Sequence, residues 1–437
     1  MKESIRISFK TTCKELRTFL ALWSTQSLSQ LGSSMTAFAL TLWLYEKTGS
    51  ALQTAFLSIC TYAPYVMMSI FAGALSDRWD KKRVMLVCDT LAACSTLAVF
   101  GLLKADMLAP WHLYLLNVLS GLMNTLQQPA GDVAMTLIIP KKHYQRTSGM
   151  RSFSNSLITI LNPVLATTLF SLFGMDVVIA VDLGTFAVAF LTLLFGIRIP
   201  RIAQRDGEER EPLLRAAGSG LVFLKKNGLV LTLILFLAGV NLVASAFDAV
   251  LPALILPSPY GGEMALGLVT STAGVAMLLG SLLATFMKRP KDRVRVIYLT
   301  MLVSLSTENF LLAFTRIPAL WCLGQLIGWL PVPIMSANLD VILRASIPVE
   351  MQGRVYSCRN TLQFFTIPVG FFLGGFLVDR VCEPMMAQTD PNGMLARMFG
   401  VGKGSGAAMV MFVLGTAGTL LCLAFGQVLR KYHYDNI

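Results

Sequence analysis

Apolar residues run along this chain in long blocks separated by short polar segments. A helix needs about 20 apolar residues to cross the hydrocarbon of a bilayer. Twelve blocks reach that length: 18–44, 50–75, 84–104, 110–138, 148–173, 176–198, 228–255, 264–287, 294–314, 318–343, 356–379 and 406–429. The pattern predicts an all-α polytopic membrane protein with twelve transmembrane helices. Proline falls inside the blocks at Pro64, Pro129, Pro163, Pro252, Pro331, Pro333 and Pro368. A soluble helix would break there, whereas neighbouring helices in a membrane bundle take up the kink. One long connection, 199–227, is charged and holds Asp206, Glu208, Glu209, Glu211 and several Arg. The other long connection, 381–405, is rich in Met, Gly and Pro.

The polar positions also repeat. Asp132, Val133, Pro140, Arg146 and Arg151 recur as Asp340, Val341, Pro348, Arg354 and Arg359, each 208 residues later. Gly73-Ala-Leu-Ser-Asp77-Arg78 has a looser partner in Gly280-Ser-Leu-Leu-Ala, 207 residues on and without the Asp. Such a repeat predicts two pseudo-symmetric six-helix halves in parallel orientation, 1–198 and 228–437, joined by the cytoplasmic linker 199–227. The substrate site of such an architecture lies between its halves near the midplane.

Composition narrows the class. Of 437 residues, 55% are hydrophobic and 14% charged, too few polar groups to cover a soluble protein of this size. With the N-terminus placed in the cytoplasm, 30 of the 36 Lys and Arg fall on the inner side; the other six are Lys47, Lys104, Arg316, Arg380, Arg397 and Lys403. That asymmetry predicts a multi-pass protein of the cell membrane with both termini cytoplasmic. The net charge of +12 is then a signal of topology and does not point to nucleic acid. Met1–Leu16 is polar and basic, without the apolar core of a signal peptide. Cys60, Cys88, Cys94, Cys322 and Cys422 lie in apolar blocks and read as small hydrophobes. His112, His143 and His433 are too scattered for a metal site, and no G-x-x-x-x-G-K-[ST] phosphate loop is present. Neither an enzyme, nor a cofactor, nor ATP-driven transport is expected.

The segment Gly73-Ala74-Leu75-Ser76-Asp77-Arg78-Trp79-Asp80-Lys81-Lys82-Arg83 resembles the signature loop of the major facilitator superfamily, G-x-L-x-D-R-x-[GD]-[RK]-[RK]. Glu46-Lys47-Thr48-Gly49-Ser50-Ala51, Pro129-Ala130, Asp182 and Gly353-Arg354-Val355-Tyr356-Ser357 resemble its macrolide-efflux-like drug/proton antiporter branch. The resemblance implies alternating access, with Asp77 accepting from the N-terminus of span eleven when the cytoplasmic side is closed. It implies a gate cluster of Asp77, Arg78, Arg83, Asp132 and Arg151 in one half and Asp340, Arg344, Arg354 and Arg359 in the other. Asp80, Lys81 and Lys82 complete the loop, and Asp89, two turns away, joins the gate. Two antiporter features are missing: no basic residue stands in Asn117–Gly121, and Asn162-Pro163-Val164-Leu165-Ala166 lacks the paired Gly of the span-five motif.

Carboxylates within spans are candidate proton carriers, because an anion in hydrocarbon is costly and is retained for function. Asp248 in span seven, a cavity-lining span by resemblance, is the first candidate and Glu308 in span nine the reserve. Asn241 lies about two turns from Asp248. Gln26, Gln30 and Ser33 recur at helical spacing, predicting a polar, cavity-facing side of span one. Trp23, Phe38, Tyr62, Tyr65, Phe247 and Trp329 can stack on an amphipathic substrate. The expected function is proton-coupled efflux of amphipathic, macrolide- or drug-like small molecules by a monomer. The alternatives are export of an endogenous siderophore, peptide or lipid-like metabolite, or a non-transporting sensor with a transporter fold.

Overall fold

In a computed structural model the described residues form helices joined by short turns, with no strand among them. The structure describes residues 15–140, 143–199, 213–288, 290–429 and 431; the side chains of 69–78, 145, 146, 148, 213–218, 220, 349, 350, 352–354 and 357 lie outside that description. The helices are α1 (Arg17–Thr48), α2 (Ala51–Arg78), α3 (Lys81–Lys104), α4 (Pro110–Ile138), α5 (Tyr144–Phe173) and α6 (Met175–Leu191), the last running into a π-helical turn, Thr192–Gly196. A shorter α7 (Leu213–Lys226) precedes α8 (Gly228–Ile255), α9 (Glu263–Phe286) and α10 (Arg293–Phe314). Then come α11 (Pro318–Trp329), α12 (Pro331–Ser346), α13 (Val349–Phe364) and α14 (Thr366–Phe376). A second π turn, Leu377–Cys382, leads through the short α15 (Glu383–Ala387) and α16 (Met394–Phe399) to α17 (Ser405–Leu429).

Among the described residues, nine helical stretches are long and apolar enough to cross a bilayer; one joins α11 to α12 and another runs from Cys358 to Ala387. The helices α1 and α4 are as long but interrupted by more polar positions, among others Gln26 and Gln30 in α1 and Asn117, Asn124, Gln127 and Gln128 in α4. Helix α2 is as long, but its side chains from 69 onward lie outside the description. The helix boundaries follow local chemistry. Asp80 caps α3 by accepting from the Arg83 amide at 3.0 Å, and Asp292 caps α10 by accepting from Arg295 at 2.9 Å. These matched Asp caps lie in the two basic loops, and each answers an otherwise unpaired first-turn amide.

Packing divides the chain into two compact units, Met1–Ala39 with Phe71–Arg210 and Leu40–Ile70 with Glu211–Ile437. In the second unit the broadest contacts are α10 on α17 and α8 on α14. Both depend on glycine. Gly415, Gly418 and Gly426 of α17 receive Asn309 and Phe310, Leu305 and Tyr298 of α10. A Cβ on Gly370 of α14 would stand 2.1 Å from Ser245 Oγ and 2.4 Å from the Leu242 carbonyl of α8. Gly280, the partner of Gly73 in the looser repeat, sits where a Cβ would meet the Leu330 carbonyl at 2.2 Å. Its place is a close helix crossing at the α11–α12 break, where Pro331 removes an amide donor.

Replacing Gly370 by Ala is expected to destabilise the purified protein by about 1–3 kcal/mol through overpacking, read as a lower thermal midpoint. Gly101→Ala, whose Cβ meets nothing within 4 Å, should leave that midpoint unchanged.

Candidate functional site

Eight carboxylates fall inside the predicted spans: Asp89, Asp132, Asp176, Asp182, Asp248, Glu308, Asp340 and Asp379. Four of them tie the first unit together. Asp89 of α3 is buried and accepts from Gln26 of α1 (3.3 Å) and Gln127 of α4 (2.5 Å). Asp182 of α6 is buried and accepts from Ser33 of α1 (2.9 Å) and Thr96 of α3 (3.3 Å). There Gly32 lets α1 approach so closely that a Cβ would meet Thr185 Oγ1 at 2.4 Å. Asp132 pairs with Arg151, and Asp176 with Lys104 at 2.5 Å.

These contacts change the reading of α1. The stripe Gln26, Gln30, Ser33, expected to face a cavity, is a seam toward α3 and α6 at two of its three positions. Gln30 is exposed, and Ser33, although exposed, is bonded to Asp182. Asp89, expected in the gate, is a three-helix junction.

Other gate residues have local roles. Lys82 Nζ donates to the Leu194 (3.0 Å) and Ile197 (2.7 Å) carbonyls at the π-helical end of α6, where a cation suits the dipole. Lys81 Nζ donates to the Trp79 carbonyl at 3.2 Å. Arg83 supplies its amide to the Asp80 cap. Gly73 and the side chains of Asp77, Arg78 and Arg354 lie outside the described residues.

In the second unit, Arg359 donates to Gln363 Oε1 at 3.0 Å and lies within electrostatic reach of Asp340, the acid of the same repeat copy. Thus both copies of the 208-residue repeat bring their Asp and Arg together. Asn241 donates to the Gln363 carbonyl at 3.1 Å, fastening α8 to α13. Asp379, which the sequence reading placed at the end of span eleven without a role, accepts from Ser50 Oγ and from the Ala51 and Leu52 amides. Glu46 and Glu263 meet carboxyl to carboxyl where α1 ends and α9 begins, and burial together with the neighbouring acid pushes the Glu46 carboxyl up to about 7. Neither arrangement has a signal in the local sequence, since each depends on a distant partner.

Asp248 and Glu308 differ from the other six. Asp248 is exposed in the middle of α8, flanked by the buried Phe247 and Ala249, and has no hydrogen-bond or ion-pair partner among the described residues. Glu308 is 5% exposed, and its Oε1 has no hydrogen-bond partner among the described residues. Gly328 of α11 makes room for it, since a Cβ there would meet Glu308 Oε2 at 2.3 Å. The Trp329 indole lies against the carboxylate without reaching hydrogen-bond geometry. The two acids lie within electrostatic reach of each other, and Tyr62 within reach of Asp248. Tyr62 stacks on Phe371 with centroids 6.0 Å apart, and Tyr65 stands 6.1 Å from Phe364. The arrangement offers two acids beside an aromatic wall, suited to exchanging protons and holding an apolar, cation-bearing molecule.

Comparison with known proteins places the chain. It is 24% identical over 367 residues to macrolide efflux protein A of Streptococcus pyogenes, covering 83% of this chain and 90% of that one. It is 24% identical over 359 residues to the multidrug efflux pump Tap of Mycolicibacterium fortuitum, covering 80% and 86%. Its fold matches a crystal structure of the nucleoside transporter NupG with a TM-score of 0.68 at 15% identity, over 93% of this chain and 98% of that one. The family profile of the Major Facilitator Superfamily matches residues 22–287, and with the helical architecture above the chain belongs to that superfamily of membrane transporters for small molecules.

Proposed function

We propose that the protein is a proton-coupled exporter of amphipathic, macrolide- or drug-like molecules, working by alternating access in the cell membrane. The relatives named as macrolide and multidrug efflux proteins support the substrate class. The observation that carries the coupling is the contrast among the carboxylates: six of the eight in the predicted spans have a partner, while Asp248 stands open and Glu308 keeps an unpartnered oxygen. A carboxylate committed as acceptor or anion to a helix–helix bond cannot take up and release a proton without disturbing that bond, whereas an uncommitted one can. Asp248 is the proton carrier in this reading. Glu308 is its electrostatic neighbour, and Tyr62, Phe371 and Trp329 are the apolar side of the site. The Asp132–Arg151 pair and the Arg359–Asp340 neighbourhood support a charged rim around the signature loop, with Asp77 its gate residue.

The proposed topology has twelve spans, halves 1–198 and 228–437, and both termini and the linker in the cytoplasm. The 30-to-6 division of Lys and Arg supports it. Single cysteines replacing Ser4 and Gly207 should react with an impermeant reagent only after permeabilisation, and one replacing Asn392 should react in intact cells. Labelling of the Gly207 position from outside overturns the topology.

Asp248→Asn imitates the protonated acid permanently. Binding of a macrolide or dye should survive, while efflux against a gradient falls to that of cells lacking the transporter. Glu308→Gln should retain transport and shift its pH dependence. Wild-type concentrative efflux with normal pH dependence in both variants removes the pair from the mechanism, leaving a facilitator or another coupling ion.

A further inference from the structure

We propose that Asp379 is the bolt of a second gate, at the end of the bundle opposite the signature loop, which holds this end shut in one transport state and releases it in the other. It rests on alternating access and not on the substrate or coupling ion proposed above.

The contact is a helix cap supplied from far away in the chain. Asp379 lies in the π turn Leu377–Cys382 that ends α14, a wide turn of the kind found where a side chain must be re-aimed. Its carboxylate accepts from Ser50 Oγ at 2.5 Å, from the Ala51 amide at 3.1 Å and from the Leu52 amide at 2.9 Å. Ser50 in turn accepts from the Gln53 amide at 3.1 Å as the local cap of α2. The first amides of α2 are thus answered by a local hydroxyl and by an anion, which the positive end of the helix dipole favours.

Below the cap, α2 lies flat on α14. A Cβ on Gly375 would meet the Leu52 Cα at 2.6 Å, and Ala55 is buried with Phe371 and Ala249. Phe56 meets Phe372 edge-on at 6.4 Å. These twenty residues of α2 group with the second unit, while the same helix from Phe71 onward groups with the first.

Glu383, four residues on, makes a matching contact that serves as an internal control. It accepts from the Gly404 amide at 2.8 Å and from the amides of Gly406 and Ala407, capping α17. Helix α17 follows Glu383 in the same repeat, so that cap has no reason to open. Helix α2 belongs by sequence to the other repeat, and alternating access moves one repeat against the other. A cap that exists only while this end is closed stabilises that state alone, and such a differential contact sets the population of the two states. Around the bolt is a cavity of about 370 Å³ lined by Tyr45, Gly49, Ser50, Arg380 and Lys403, among others. Gly49 turns the chain from α1 to α2 at φ +60, with Lys403 Nζ 2.6 Å from where its Cβ would be. The far end of α2 carries Asp77, whose expected partner is the start of span eleven. Asp379 makes the reciprocal contact, from the end of span eleven to the start of α2.

The test reads conformation in the purified protein in detergent, with the native cysteines replaced and Ala55→Cys as the reporter. Ala55 is 2% exposed and becomes reachable by a soluble maleimide when α2 leaves α14. Asp379→Asn should raise the modification rate roughly 3- to 30-fold, the range that loss of a helix cap supports. Ser50→Ala, which removes one of the three bonds and keeps the carboxylate, should raise it by less. Glu383→Gln should lower the thermal midpoint and leave the rate unchanged. If Asp379→Asn cannot be purified folded, Ser50→Ala decides alone. Unchanged labelling in the folded Asp379 and Ser50 variants overturns the proposal, as does an equal rise in Glu383→Gln, which would mean general loosening.

Discussion

A helix in hydrocarbon has no water to answer its unpaired ends or its charged side chains, so each must find a partner inside the protein. In this chain that requirement writes much of the tertiary map. Asp89 draws Gln26 and Gln127 to one point, joining α1, α3 and α4. Asp182 draws Ser33 and Thr96 to another, and the absence of a side chain at Gly32 lets α1 close on α6. At helix ends the signs match the dipoles. Asp80, Asp292, Asp379 and Glu383 stand at N-termini, and Lys82 stands at carbonyls ending α6. For the buried Asp89 and Asp182 the fastening gains strength from the low dielectric that makes each costly when alone.

The sequence made the helices legible and left their mutual fastening hidden. Span length is a property of contiguous residues, so the block 228–255 becomes Gly228–Ile255 without adjustment. The break in span ten was marked by Pro331, yet its consequence, the room that Gly328 leaves beside Glu308, depends on α10 lying alongside. A polar stripe such as Gln26, Gln30, Ser33 has one periodicity whether it faces water or a buried carboxylate. Only the position of Asp89 on a neighbouring helix decides between them. Asp379 is the extreme case, for its partners lie 327 to 329 residues away. The 208-residue repeat located the Asp132–Arg151 pair and the Asp340–Arg359 neighbourhood. It passed over the matched caps Asp80 and Asp292, which are 212 residues apart in the sequence and out of register with it.

Fastening also separates residues that can move from those that cannot. The Gly370 and Gly374 contacts press α14 onto α8 at backbone distance, with Ser245 Oγ and the Ala246 carbonyl in the way of any added side chain. That joint stays within one repeat and is suited to rigid-body motion. The α2–α14 joint is held by a surface cap, aromatic edges and one glycine, and it links segments of different repeats. Interfaces of the second kind can break and re-form at moderate cost, because their polar groups reach water when exposed.

The same logic explains how Asp248 and Glu308 can act as a pair across two helices. They have no direct hydrogen bond, and yet each lies within electrostatic reach of the other. Two negative charges held in poorly screened surroundings repel strongly, so the pair favours carrying one proton or one cation between them. In the coupling proposed above, a proton carried by Asp248 relieves this repulsion, while the Tyr62–Phe371 stack offers the apolar surface. The proposed coupling thus rests on one exposed acid on α8 and one buried acid on α10 that bear on each other electrostatically.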